Sequence, residues 1–220
     1  MDPSNNVTVA PTSAVPVKTG EKVTETIKRY NKPRVDFDVV SNPEFLREGF
    51  AVADLMNPDR VVIGVRSQRP VAAMKEIYAP FNAPIIVTDI NSAELIKHAS
   101  NSFLAMKVSY FNEVYDLCQR MGIEYDVVRD LVVADRRSGP SHSDVFDCGY
   151  RGYSGKCLPK DSKALIDLAK SESVSMLVLQ ATDAVNAELI ARQRSAAALR
   201  GIAAVEVDAA DDDAQERRAA

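Results

Sequence analysis

The first third of the chain alternates short apolar runs with polar, helix-prone stretches. Val7 to Val15 is β-prone and is closed by Pro16, and Thr19 to Tyr30 reads as a polar helix. A second strand is predicted around Phe37 to Val40. The compact run Arg60-Val61-Val62-Ile63-Gly64-Val65 predicts a buried strand. Pro70 to Tyr78 suits a helix with proline near its first turn, and Pro84 to Thr88 is again short and β-branched. Strands alternating with helices are the pattern of an α/β sheet.

From Asp89 the period changes. Ile90, Ala93, Ile96, Ala99, Phe103, Met106, Tyr110, Val114 and Leu117 recur at three- and four-residue steps, predicting one long amphipathic helix with these residues on its buried face. Gly122 stands where a C-terminal cap belongs, and a shorter helix is predicted from Tyr125 to Ala134. Arg136 to Lys156 has no period and holds four of the nine glycines, so it reads as a loop with demanding backbone geometry. Two further helices are predicted, Lys160 to Lys170 and Val174 to Leu199. The last would run roughly 39 Å at about 1.5 Å per residue, longer than a domain of this size covers, so it is expected to pack on a second copy.

Composition adds bounds. With 220 residues, 46% hydrophobic and 26% charged, the chain suits a globular protein with a real core. It has no apolar run of membrane-spanning length and no signal-like N-terminus, so no membrane partner is expected. The net charge of −4 resides in the tail after Ile202, where six acids face two bases, leaving 25 of each elsewhere. No nucleic-acid partner is therefore expected, and 202–220 reads as a disordered acidic tail. Three widely spaced cysteines do not form a disulfide framework, which points to a cytoplasmic protein.

Among candidate chemical groups, Cys157 follows a glycine-rich loop and precedes a predicted helix. There the helix dipole, Lys156 and Lys160 would favour thiolate; the alternative is a buried structural cysteine. Cys118 falls in the apolar period of the long helix, and Cys148 receives no role. Lys97 and Asn101, four apart on that helix, could together hold an oxyanion or a sugar hydroxyl, or simply form a solvated face. Asn42 to Gly49 follows a strand and offers Glu44 and Glu48, a weak signal by itself. No zinc spacing occurs among Cys148, Cys157 and His142, so no metal is expected. A Gly-x-Gly-x-x-Gly turn is also absent, and turnover by the chain alone is not expected.

Taken in order, these segments resemble the UDP-glucose/GDP-mannose dehydrogenase family. Thr12 to Val17 is similar to its Ser-Thr-Val-Pro-Val turn, and Asn42 to Gly49 matches Asn-Pro-Glu-Phe-Leu-x-Glu-Gly throughout. Glu94 to Lys97 with Asn101 to Ala105 resembles its Lys/Asn helix. Asp135 to Gly139 resembles Asp-x-Arg-Ile-Gly, and Gly152 to Asp161 resembles Gly-Phe-Gly-Gly-x-Cys-x-x-Lys-Asp. Three departures stand out: Ala14 for threonine, Ser138 for isoleucine, and Ser154 for a loop glycine, where a serine is strained if the position needs a positive φ.

The resemblance implies the end of a Rossmann-like NAD-binding domain over 1–88 and a mostly α-helical dimerisation domain with a long central helix over 89–201. By that reading the chain is a fragment, or a short form that needs a partner. The implied reaction is NAD-dependent oxidation of a UDP-sugar, UDP-glucose to UDP-glucuronate, feeding polysaccharide biosynthesis. The implied catalytic residues are Cys157 as nucleophile, Lys97 for oxyanions, Asn101 to orient the sugar, Asp161 as general base through water, and Glu44 in thioester hydrolysis. Substrate would meet Phe45, Leu46, Arg47, Glu48, Gly152, Tyr153 and Gly155, with Arg137 reaching into a neighbouring subunit's site. NAD would meet Ser13, Glu48 and Lys160. The competing expectation is a non-catalytic dimerisation module that kept the fold.

Overall fold

The structure, a computed structural model, describes residues 7–12, 15–32, 35–47, 49–146 and 150–199. It divides into two compact units, Met1–His98 and Ala99–Ala220. Small parallel sheets come first and a helix-rich region follows, as the sequence pattern predicts.

In the first unit β1 (Val7–Val9) pairs in parallel with β2 (Phe37–Val39), and α1 (Thr19–Tyr30) forms the crossover between them. After α2 (Ala51–Met56), β3 (Val61–Gly64) pairs in parallel with β4 (Ile85–Thr88) across α3 (Val71–Tyr78). An antiparallel bridge from Ser41 to Gly64 links the two sheets. All four β3 residues are buried, which is why this run shows no polar alternation. Its core comprises Val40, Val61, Ile63, Val65, Val71 and Met74. Gly64 lets the start of α4 (Ile90–Met121) lie on the strand: a Cβ there would stand 2.5 Å from that of Ala93 and 2.9 Å from the Asp89 carbonyl oxygen.

The second unit holds the remainder of α4, then α5 (Tyr125–Val133), a long irregular loop, α6 (Leu158–Ser171) and α7 (Leu177–Leu199). Gly122, at φ +67°, ends α4, and the Ile123 N–H donates back to the Cys118 carbonyl at 2.9 Å, the pattern of a Schellman cap. Phe111, Cys118, Tyr125 and Val145 form one apolar cluster, and Leu165, Ile166 and Leu179 form another. Among the described residues, no helix is long and apolar enough to cross a membrane.

Several expectations are corrected. The strand predicted over Val7 to Val15 stops at Val9, because Pro11 has no N–H to give a ladder. α2 carries no apolar period and was not predicted. Glu44 sits on an irregular segment, since residues 43–47 form neither helix nor strand. The larger correction concerns α4. Phe103, Tyr110 and Leu117, expected in the core, are each more than half exposed. The buried face instead carries Glu94, Lys97, His98, Asn101, Ser102, Lys107, Ser109 and Asn112 alongside Ala93, Ala105, Val108 and Phe111. An apolar period identifies a helix but does not say which of its faces its own chain covers. The tail from residue 202 and Cys148 lie outside the described residues.

Candidate active site

In the first unit the site begins with Asn42, which is 4% exposed. Its Nδ2 donates to the Val62 carbonyl at 2.9 Å, its Oδ1 accepts from the Tyr78 hydroxyl, and its N–H donates to the Pro11 carbonyl at 3.0 Å. The side chain thus ties β3 to α3 while the main chain of the same residue holds the segment after β1, and together they fix where the next residues emerge. Two residues on, Glu44 accepts the Leu46 N–H through Oε2 at 2.8 Å and meets the Lys97 ammonium through Oε1 at 3.4 Å.

Lys97 is 3% exposed, so the solvated-face reading is excluded for it. Its Nζ also stands 5.5 Å from the centroid of the Phe45 ring, and the Arg60 guanidinium lies 4.1 Å from the same centroid. The ring's negative faces suit cations, so Phe45 helps orient the lysine. Arg60 was not singled out by sequence; its position four residues before the buried glycine of β3 gives no signal.

Arg47 is exposed and committed to Asp54: its Nη2 stands 2.6 Å from Oδ1, and its main-chain N–H donates to Oδ2 at 2.8 Å. The guanidinium hydrogen bond holds the Asp54 carboxyl below its usual range. Ser13, Ala14 and Glu48 lie outside the described residues. Glu94, one turn before Lys97, is buried and accepts the Gly20 N–H at 2.8 Å, at the positive end of α1. Burial nonetheless raises its carboxyl above the usual range, with the hydrogen bonds from Gly20, Lys18 and Thr19 acting the other way.

In the second unit Cys157 is the N-cap of α6 and is exposed, as the glycine-to-helix pattern predicts. Its carbonyl accepts the Asp161 N–H at 2.9 Å, the first turn of the helix. Asp161 is fully buried, and its Oδ2 accepts from Asn101 Nδ2 at 2.6 Å. The Lys160 ammonium, on an exposed side chain, stands 3.3 Å from Asp161 Oδ1. α6 thus places thiol, ammonium and carboxylate within one turn, and α4 supplies the amide that anchors the carboxylate.

The loop before Cys157 uses its glycines as expected, with Gly152 at φ +89° and Gly155 at φ +72°. Ser154 is not among the described residues at positive φ, so its replacement of a family glycine brings no such strain. Tyr153 is buried against Ala105 and Val108, and burial followed by the charge of Asp183 pushes its hydroxyl up to about 12. Both its main-chain polar groups are taken by Asn186, so this residue shapes the loop from behind. Arg137 is 89% exposed and pairs with Asp135, while the Ser138 and Gly139 carbonyls accept from the buried Lys107 at 3.1 Å each.

Comparison with known proteins bears on the family and the fold. Residues 3–82 match the model of the UDP-glucose/GDP-mannose dehydrogenase family, NAD binding domain, and residues 91–188 match that family's central domain. The chain is 43% identical over 174 residues to UDP-glucose 6-dehydrogenase TuaD of Bacillus subtilis (strain 168), covering 79% of this chain and 37% of the relative. With UDP-glucose 6-dehydrogenase of Rhizobium meliloti (strain 1021) it shares 42% identity over 179 residues, covering 79% and 40%. It superposes on a UDP-glucose dehydrogenase from the hyperthermophilic archaeon Pyrobaculum islandicum with a TM-score of 0.80 at 34% identity, over 89% of this chain and 45% of that one. The chain therefore spans about two fifths of the length of the curated relatives it matches. Two family domains matched in order, across most of its residues, establish that the chain belongs to the UDP-glucose/GDP-mannose dehydrogenase family.

Proposed function

We propose that this chain carries the covalent chemistry of a nucleotide-sugar oxidation, with UDP-glucose as substrate and UDP-glucuronate as product. The observation that carries the reading is the exposed Cys157 thiol at the N-terminus of α6, one turn from a buried, amide-anchored carboxylate. The relatives, both UDP-glucose 6-dehydrogenases, supply the substrate class.

NAD, when bound, supplies the hydride acceptance that each of the two oxidations needs. The described residues fit part of that group: Lys160 offers an exposed cation at a helix N-terminus, suited to an anionic cofactor. Ser13 and Glu48 complete the proposed contacts. A glycine turn for the pyrophosphate is not among this chain's residues.

The chain's own part is as follows. The Cys157 sulfur adds to the C6 aldehyde, and the resulting oxyanion takes a proton to give a thiohemiacetal. Loss of a hydride and a proton from that species gives a thioester, and water then releases the carboxylate and regenerates the thiol. Lys97, a buried ammonium held by Glu44 and Phe45, offers its charge to the oxyanion. Asn101 orients the sugar, Asp161 acts through water as general base, and Glu44 assists hydrolysis. Substrate is held by the segment 45–48 and by the loop around Gly152 and Gly155, and Arg137 reaches a neighbouring subunit's site.

Self-association belongs to the same reading. Phe103, Tyr110 and Leu117 lie seven residues apart on the exposed face of α4, and Leu177 and Val178 stand exposed at the start of α7. Burying such residues against a second copy is worth roughly 1.5–3 kcal/mol for each fully covered side chain. Further along α7, Leu189 is already buried within the chain.

The direct experiment uses the sugar-nucleotide aldehyde labelled with carbon-13 at C6, which requires no cofactor. A thiohemiacetal carbon signal that vanishes in Cys157→Ala supports the reading. The hydrated aldehyde alone, with wild-type protein in excess, would sink it.

A further inference from the structure

α7 grips the loop leading to Cys157 at two points. Asn186 is 5% exposed; its Oδ1 accepts the Tyr153 N–H and its Nδ2 donates to the Tyr153 carbonyl, both at 2.8 Å. Gln193 repeats the arrangement on Arg151, with Oε1 accepting the N–H and Nε2 donating to the carbonyl, again at 2.8 Å. Seven residues make about two helical turns, so both amides leave one face of α7. Each does for one loop residue what a neighbouring strand does in a sheet.

Gly152 lies between the two gripped residues. At φ +89° it favours glycine, and a Cβ there would stand 2.5 Å from Asn186 Oδ1. The Arg151 side chain is meanwhile tied to α4, through Nε to Asn112 Oδ1 at 3.0 Å and through Nη1 to Asp116 Oδ1 at 2.7 Å. Main chain on one helix and side chain on another leave residues 151–153 little freedom. Four residues later comes the N-cap of α6.

We infer that Asn186 is a positioning residue for Cys157: by fixing the Tyr153 main chain it sets how the glycine loop enters α6, and so where the thiol stands. The inference rests on the reading of Cys157 as nucleophile. Asn186 acts through the loop, and Gln193 sets the register two residues upstream.

The experiment uses the full chain, as wild type, Asn186→Ala and Gln193→Ala. Amide hydrogen exchange is read at residues 151 and 153, and Cys157 alkylation by iodoacetamide at neutral pH is read by peptide mass spectrometry. In N186A the Tyr153 amide should exchange fast while the Arg151 amide stays slow. Cys157 alkylation at neutral pH should fall by at least about fivefold, since a thiol displaced from the helix N-terminus loses the positive field that favours its thiolate. Continued shielding of Cys118 shows that the fold is kept. In Q193A the Arg151 amide should be released instead, with a smaller effect on Cys157. A fast Tyr153 amide together with Cys157 reactivity within about twofold of wild type would overturn the inference. If N186A does not fold, the same readings are taken on Asn186→Asp, which keeps the acceptor for the Tyr153 N–H and opposes the carbonyl. Slow alkylation of Cys157 in the wild type itself would sink the nucleophile reading; normal wild-type reactivity with unaltered variants would sink the positioning role alone.

Discussion

Asn101 Nδ2 donates to the fully buried Asp161 Oδ2 at 2.6 Å. This bond joins α4 to the first turn of α6, whose N-cap is Cys157. Asn101→Ala should leave the buried carboxylate one donor short and lower stability by about 1–3 kcal/mol, seen as a lower urea midpoint. Asp161→Asn removes the charge while leaving an acceptor, and should cost less than N101A. Equal midpoints for N101A and wild type would show that the bond contributes nothing.

Asn42 offers a second test, in the first unit. Its side chain bonds both the Val62 carbonyl and the Tyr78 hydroxyl from a buried position. Asn42→Ala loses both at about 1 kcal/mol each and leaves the carbonyl unpaired, so a loss of roughly 2–4 kcal/mol is expected in urea unfolding. Tyr78→Phe removes only the second bond and should cost about 1 kcal/mol. A Y78F loss matching that of N42A would relocate the anchor to the tyrosine.

Glu94 gives a pH dependence with a definite sign. Burial raises its folded pKa above the ordinary 4.5, so the native state holds this proton more tightly than the unfolded chain does. Its contribution to stability is full below about pH 4.5 and is lost as pH rises through the folded value. Glu94→Gln keeps an acceptor for the Gly20 N–H and removes the titration. Relative to wild type, E94Q should gain stability as pH rises from about 4.5 to neutrality. A difference between the two proteins that stays flat over that window would mean the carboxylate is well solvated.

Much of this architecture is legible in the sequence, and what is not has physical causes. The runs at Val61–Gly64 and Ile90–Met121 announce themselves because burial on both faces, and helical period, leave clear signatures. α2 is six residues with no period to read. The buried polar face of α4 is invisible to periodicity, which assigns Lys97 and Asn101 to solvent; only the motif marks them out. Phe103, Tyr110 and Leu117 mislead in the opposite sense, since an apolar stripe reads the same whether covered by its own chain or left for another. Asn186 and Gln193 carry no signal at all, because their meaning lies in which peptide they meet.

The measurement that bears most directly on the function is the pH dependence of alkylation at Cys157 in the folded chain. The exposed thiol at the N-terminus of α6 should react first, while buried Cys118 stays shielded. Its rate should level off below about pH 8.5, the value at which an ordinary thiol is half ionised, and Lys160→Met should move that plateau upward. A Cys157 that is inert in the folded protein, or whose rate follows an ordinary thiol and ignores Lys160, would contradict its role as nucleophile.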